Sequence, residues 1–253
     1  MEIVTSKQNS KIVETKKLFQ KKYREETGFF VSETRKVIEE ALACGLEPVY
    51  IFVQQDAKNL FSKYAKKVVF VSQNVLKEIS SIISPDGYVA VFEKPVCKKS
   101  LNDLIKQPFL VLDCLQNPDN MGAIMRSALA SNFKTLLLID CVDEFNPKTI
   151  RASMGNQFKL DILHISYQDV KEISKTAKLF VADMNGKNIF NIEKFEQSVG
   201  FVVGNEGNGV NKTLKDCIEN AISIPMQNGV ESLNASVSAS IIMFYIANHL
   251  TNA

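Results

Sequence analysis

From Pro108 onward the chain repeats one pattern. FLVLDC, TLLLID, DILHIS, KLFVAD, GFVVGN and AISIP are short apolar runs, and helical segments such as GAIMRSALASN and QDVKEISKTA separate several of them. A strand with one face in water alternates apolar and polar residues, so a strand without a polar face must be covered on both sides. Continuous runs alternating with helices therefore predict an α/β domain around a mainly parallel sheet. The preceding part reads as a smaller α/β domain. Its first forty residues predict two helices, over SKQNSKIVETKKLFQKKYREET and ETRKVIEEALACG, with FFVS as a strand between them. VYIFVQ, KKVVFVS and GYVAVFEK are β-branched and aromatic strand candidates. The expected division is a domain over 1–95, a linker over 96–104 around KPVCKKS, and a C-terminal domain over 105–253. The chain closes on a helix, ASVSASIIMFYIANHL. Val237, Ile241, Phe244 and Tyr245 form one stripe of it, and Ala235, Ser236, Ala239 and Ser240 leave room for a neighbouring backbone.

Composition narrows the class. No apolar run reaches the roughly 20 residues of a membrane span, and MEIVTSKQNSK has no hydrophobic signal core. Cys44, Cys97, Cys114, Cys141 and Cys217 are odd in number and form no C-x-x-C pair, which argues against a disulfide framework and a zinc site. A reduced, cytoplasmic setting is expected, with neither metal nor membrane. Cys114 and Cys141 end strands as small hydrophobes, and neither His164 nor His249 is expected to be catalytic. The net charge of +2 hides an asymmetry: residues 1–100 hold 17 Lys+Arg against 12 Asp+Glu. Lys7, Lys11, Lys16, Lys17 and Lys21 crowd the first predicted helix. Such a stretch fits a polyanion partner, or else a solvated helix face.

Ligands of open α/β sheets collect where loops leave the carboxyl ends of strands. Three loops there combine glycine, asparagine and one charged residue: LQNPDNMGAIMRSA with Arg126, EGNGV with Glu206, and MQNGVESLNASVS with Glu231. The middle loop has the glycine content of a phosphate cradle but not the spacing of one. Gly204, Gly207 and Gly209 do not form G-x-G-x-x-G, and no G-K-S or G-K-T follows. A glutamate among phosphates would also repel them.

Taken together the loops closely resemble the three signature motifs of the SpoU (TrmH-type) RNA 2′-O-ribose methyltransferases of the SPOUT superfamily. NPDNMGAIMRSA resembles the family's motif one, VVGNEGNGV its motif two and IPMQNGVESLNASVSASI its motif three, in the family's order. PKTIRASMGNQFKL resembles a family segment between motifs one and two, and the likeness covers about residues 105–250. Residues 1–95 resemble the substrate-binding domain often found ahead of it, an α/β fold similar to a ribosomal large-subunit protein. In FFVSETRKVIEEAL, Thr34 stands where that domain usually has glycine.

The resemblance implies a trefoil-knotted C-terminal domain that dimerises with another copy of the chain, S-adenosylmethionine as cofactor, and RNA, ribosomal above all, as substrate. It places the cofactor against Gly204, Glu206, Ile224, Pro225, Met226, Leu233 and Asn234. It also assigns catalysis to Arg126 with Asn117, Glu206 and Asn234, Glu206 orienting Arg126 or the substrate. RNA contacts are expected from Lys7, Lys11, Lys16, Lys17, Lys21, Arg126 and Arg151, although a structural salt bridge suits Arg151 equally. Glu206 has an alternative as a helix-capping carboxylate. Rival functions are a tRNA 2′-O-methyltransferase and a non-catalytic RNA-binding protein that retains the fold.

Overall fold

A computed structural model describes residues 3–251. The chain forms two compact units, one made of residues 1–96 and 143–158, the other of 97–142 and 159–253.

In the first unit, β1 (Ile3–Val4) leads to α1 (Ser10–Lys17) and α2 (Lys21–Thr27). These are followed by β2 (Phe29–Glu33), α3 (Arg35–Ala43), β3 (Pro48–Gln54), β4 (Val68–Val71), α4 (Gln73–Glu78) and β5 (Tyr88–Glu93). The strands make a mixed sheet ordered β1-β4-β3-β5-β2. The single long helix expected over residues 6–27 is broken at Leu18–Gln20. Leu18 is buried, and its carbonyl accepts a 2.7 Å hydrogen bond from Arg24 Nη1. Arg24 is itself buried, with Nε and Nη2 on the buried Asp143 at 2.7 and 2.6 Å. A guanidinium that satisfies two partners in the interior fixes the break more firmly than helix propensity opposes it.

In the other unit, α5 (Leu101–Leu104) lies within the segment expected as linker and buries Leu104. Next come β6 (Phe109–Asp113), α6 (Pro118–Ala130) and β7 (Thr135–Ile139). The chain then departs from the expected division: residues 143–158, with α7 (Pro147–Ser153), belong to the first unit. Phe145, Ile150 and Phe158 pack there with Phe30, Ile38 and Phe92. The C-terminal unit resumes with β8 (Asp161–His164), α8 (Tyr167–Ile173), β9 (Lys178–Asn188), β10 (Val199–Val203), α9 (Lys212–Cys217), β11 (Asn220–Ser223) and α10 (Ala235–Asn248).

Its six strands run in the order β11-β9-β10-β6-β7-β8, and every pairing is parallel. All residues of β6, β7 and β10 are buried, as the continuous apolar runs require. Leu110, Leu112 and Phe201 face one core with α6 and α10, while Phe109, Val111 and Val202 face the other. The last helix differs from the expected stripe. It buries Ala239, Ile242, Met243 and Ile246 and leaves Val237 and Phe244 exposed. Ser240 Oγ instead meets Ser127 Oγ of α6 at 2.7 Å, where small side chains let the two helices approach.

Candidate active site

The exits of β6, β10 and β11 carry the three loops and lie at one end of the parallel sheet. After β6, Asn117 caps α6: its Oδ1 accepts the N–H groups of Asp119 (2.8 Å) and Asn120 (3.3 Å), and Pro118 opens the helix. Asn and Asp suit this position because the side-chain oxygen satisfies N–H groups that have no helical partner. Asn234 does the same for α10, accepting from the N–H of Ser236 (2.9 Å) and Val237 (3.4 Å).

Between these two caps lies the loop 204–211. It closes on itself through reciprocal Asn205–Gly209 backbone hydrogen bonds of 3.0 and 2.9 Å, with Gly209 at φ +65°. The resemblance sets Gly204 against the cofactor, and the structure gives the glycine a reason within the loop itself. A Cβ there would stand 2.1 Å from the Gly209 carbonyl carbon and 2.2 Å from Val210 N, so the loop's own return requires the glycine.

Glu206 does not reach Arg126. Its Oε1 accepts from Asn117 N at 3.1 Å and Asn120 Nδ2 at 3.0 Å, and its Oε2 from Gln116 N at 3.4 Å. These contacts fit the capping alternative, and the helix approached is α6. A carboxylate is favourable there because the helix N-terminus offers unpaired N–H groups and a positive dipole end. Burial works against its charge, but Asn120 and the surrounding backbone N–H groups outweigh it and lower the pKa of Glu206.

Asn120 is the residue that sequence reasoning missed. It is buried, donates to Glu206 and accepts a 2.9 Å hydrogen bond from Asn234 Nδ2. One side chain thus joins all three motifs. The available signal was another asparagine three residues after the cap, where helix propensity gives no reason for one. Arg126 projects from the same helix, is exposed, and forms no hydrogen bond or ion pair with the described residues.

A cavity of about 480 Å³ opens along loop 203–210 and the segments 222–226 and 231–235. Of the cofactor residues inferred from sequence, Gly204, Glu206, Ile224, Met226 and Leu233 line it. Pro225 lies outside it, and Asn234 is engaged in its cap and in Asn120. Such a volume lies within the roughly 300–1,000 Å³ usual for small-molecule sites. Its walls suit a cationic, partly apolar molecule. Ile224, Met226, Leu233 and Ile242 are apolar, Asp183, Glu206 and Glu231 are acidic, and the cation in the wall, Lys215, is already paired with Asp183 at 2.5 Å.

The residues assigned to RNA gather less well. Arg151 pairs with the buried Glu33 at 2.6 Å and donates to Ser81 Oγ at 2.5 Å, so its place is structural. Lys7 and Lys16 share Glu78 at 2.5 and 2.7 Å, and Lys21 lies 3.7 Å from Glu25. Lys11 sits over the ring of Tyr50 and Lys17 over that of Tyr23.

Residues 107–244 match the model of the SpoU rRNA Methylase family, and residues 9–90 match the MRM3-like substrate binding domain. The chain is 28% identical to the 23S rRNA (guanosine(2553)-2′-O)-methyltransferase RlmP of Bacillus subtilis, over 97% of this chain and 99% of that one. Among solved structures it is similar to an AdoMet-bound rRNA methyltransferase from Sinorhizobium meliloti, with a TM-score of 0.88, 25% identity and 99% of each chain covered. An RNA 2′-O ribose methyltransferase gives a TM-score of 0.81 at 29% identity, covering 96% of this chain and 97% of its own. With the three motifs joined through Asn120 and more than half of the sequence matched, the chain belongs to the SpoU rRNA methylase family.

Proposed function

We propose that this protein transfers the methyl group of S-adenosylmethionine to a ribose 2′-hydroxyl in structured RNA, ribosomal RNA in particular. The observation that carries this reading is the acid-lined cavity walled by two of the three motif loops, beside the network through which Asn120 joins Glu206 to Asn234. The relatives named for rRNA methylation align over nearly the whole chain, including its first unit.

When bound, S-adenosylmethionine supplies an electrophilic methyl group on a positively charged sulfur. Glu206, Ile224, Met226 and Leu233 would hold it, the carboxylate complementing that charge and the apolar side chains excluding water. A ribose hydroxyl is a poor nucleophile at neutral pH and must be positioned and relieved of its proton. Arg126 is free to engage RNA. Because a guanidinium carries a fixed positive charge on a planar fork of donors, its suitable work is to grip a phosphate and polarise the hydroxyl. Asn120 keeps Glu206 and Asn234 in register, so the loops that hold donor and acceptor do not drift apart.

We also infer the trefoil knot and a homodimer that the SPOUT resemblance implies. The exposed Val237 and Phe244 of α10 support a partner on that face. The experiment is calorimetry with S-adenosylhomocysteine on the full chain, together with mapping of 2′-O-methyl sites in rRNA with and without the gene. Arg126→Ala should bind cofactor normally and lose methyl transfer by at least roughly a hundredfold. Arg126→Lys should not restore it, since an ammonium cannot reproduce the planar fork. A near wild-type lysine variant would reduce Arg126 to a general positive charge.

A further inference from the structure

Loop 204–211 is rigid within itself. Besides the Asn205–Gly209 backbone pair, Asn205 Oδ1 accepts the N–H of Gly207 (2.9 Å) and Asn208 (3.2 Å). A loop of this kind is displaced as a body, and where it lies depends on its attachments. Three lead to the chain leaving β6. Asn205 Nδ2 donates to the Cys114 carbonyl at 2.9 Å, Glu206 accepts from Gln116 and Asn117, and Asn211 N donates to Asp113 Oδ2 at 2.6 Å.

The attachment through Asp113 is unusual. Asp113 is 1% exposed, and no Lys, Arg or His among the described residues is paired with it. A buried carboxylate is costly unless its oxygens are well satisfied. Here the other oxygen, Oδ1, accepts the hydroxyl of Tyr167 at 3.0 Å. Tyr167 begins α8 and packs against the core shared by Val111, Val202 and Val210. Burial first, then the contacts with Cys114 and Asp113, hold the phenol above its usual titration range, so it remains a neutral donor. Neither Asp113 nor Tyr167 lines the 480 Å³ cavity, whereas every residue from Asn205 to Val210 does.

We propose that Asp113 and Tyr167 are positioning residues for the methyl donor: the phenol fixes the carboxylate, the carboxylate fixes the Asn211 amide, and the rigid loop thereby keeps the cavity wall in place. The inference rests on reading that cavity as the donor site. It accounts for a buried acid, without a cationic partner among the described residues, at the end of a central strand, which packing alone would replace with an apolar residue.

The test uses the full chain. Tyr167→Phe should weaken S-adenosylhomocysteine binding about fivefold, the factor expected for one lost hydrogen bond, and raise the donor KM similarly. The kcat at saturating donor should stay within about twofold, because the groups facing the ribose keep their places. Amide exchange should quicken in 204–212 and not in the strands of either sheet. Asp113→Leu should weaken binding further, and adding Tyr167→Phe to it should do nothing more, since both act through one attachment. Asp113→Asn should retain most affinity: its carbonyl can accept the Asn211 N–H while its amide donates to the phenol oxygen. If the wild-type chain binds S-adenosylhomocysteine and Tyr167→Phe and Asp113→Leu bind it equally well, the clamp is overturned. Exchange that quickens uniformly would overturn it too, by reducing the pair to general stability. A wild-type chain that binds none would instead overturn the donor-site reading.

Discussion

Thr34 stands at φ +73° and ψ 141°, between β2 and α3. A β-branched residue is strained in that region, which glycine enters freely, and a residue held there costs of order 1–3 kcal/mol. It is tolerated because its neighbour Glu33 is anchored: the carboxylate accepts from Ser80 Oγ (2.7 Å), Ser81 N (2.5 Å) and Arg151 (2.6 Å). Thr34→Gly should therefore stabilise the protein by about 1 kcal/mol, the relief of strain outweighing the entropy that glycine adds to the unfolded chain. Chemical denaturation measures this directly, and a destabilised variant would mean that the threonine side chain contributes more than its backbone costs. The departure from glycine was visible in the sequence. That the backbone kept its positive φ was not, because a dihedral depends on what holds both flanks.

At the scale of elements, the basic first stretch loses much of its expected character. Its break into α1 and α2 distributes the lysines, and Glu78 from α4 takes two of them, held to a pKa of about 2 by hydrogen bonds from Lys16 and then Lys7. By contrast Lys58, Lys63, Lys66 and Lys67 are exposed and have no carboxylate partner among the described residues. If the first unit holds RNA through phosphates, these lysines should matter more. Each lost contact should lower the slope of log affinity against log salt by roughly 0.7–0.9. Reversing Lys63, Lys66 and Lys67 to glutamate should thus flatten the slope by about two to three units. Reversing Lys16, Lys17 and Lys21 should flatten it less. Equal or opposite effects in filter-binding titrations would return RNA recognition to α1 and α2. Charge spacing was legible in the sequence, whereas the neutralising acid lies 62 residues away from Lys16.

For the whole molecule, the segment 143–158 is the consequential feature. It brings Phe145, Ile150 and Phe158 into the core of the first unit, and Asp143 to Arg24. A fragment cut near residue 101 would carry these side chains without the sheet they cover. Ile150→Ala in the full chain should cost roughly 2–5 kcal/mol, as for a buried large-to-small change. Hydrogen exchange should locate the loss in β2 and β5 of the first unit; loss confined to β6 and β7 would contradict the assignment of the segment. On the opposite kind of surface, Phe244→Glu should dissociate the proposed dimer while leaving the monomer folded, because Phe244 is 44% exposed. Sedimentation at matched concentrations reads both states, and an unchanged mass would remove α10 from the interface.

The parallel sheet and the three motif loops were legible by themselves, since burial on both faces and cap chemistry are local demands that a sequence meets residue by residue. β6, β7 and β10 lie where their apolar runs end, and Asn117 and Asn234 cap helices as asparagine before such runs does. What only the tertiary structure decided are pairings between residues far apart in the chain. Glu206 turned to Asn120 and not to Arg126, Arg24 found Asp143 in its own unit, and Gly204 proved necessary for the return of Gly209. Each depends on where another segment arrives, and that is set by the packing of whole elements, which no spacing along a single stretch encodes.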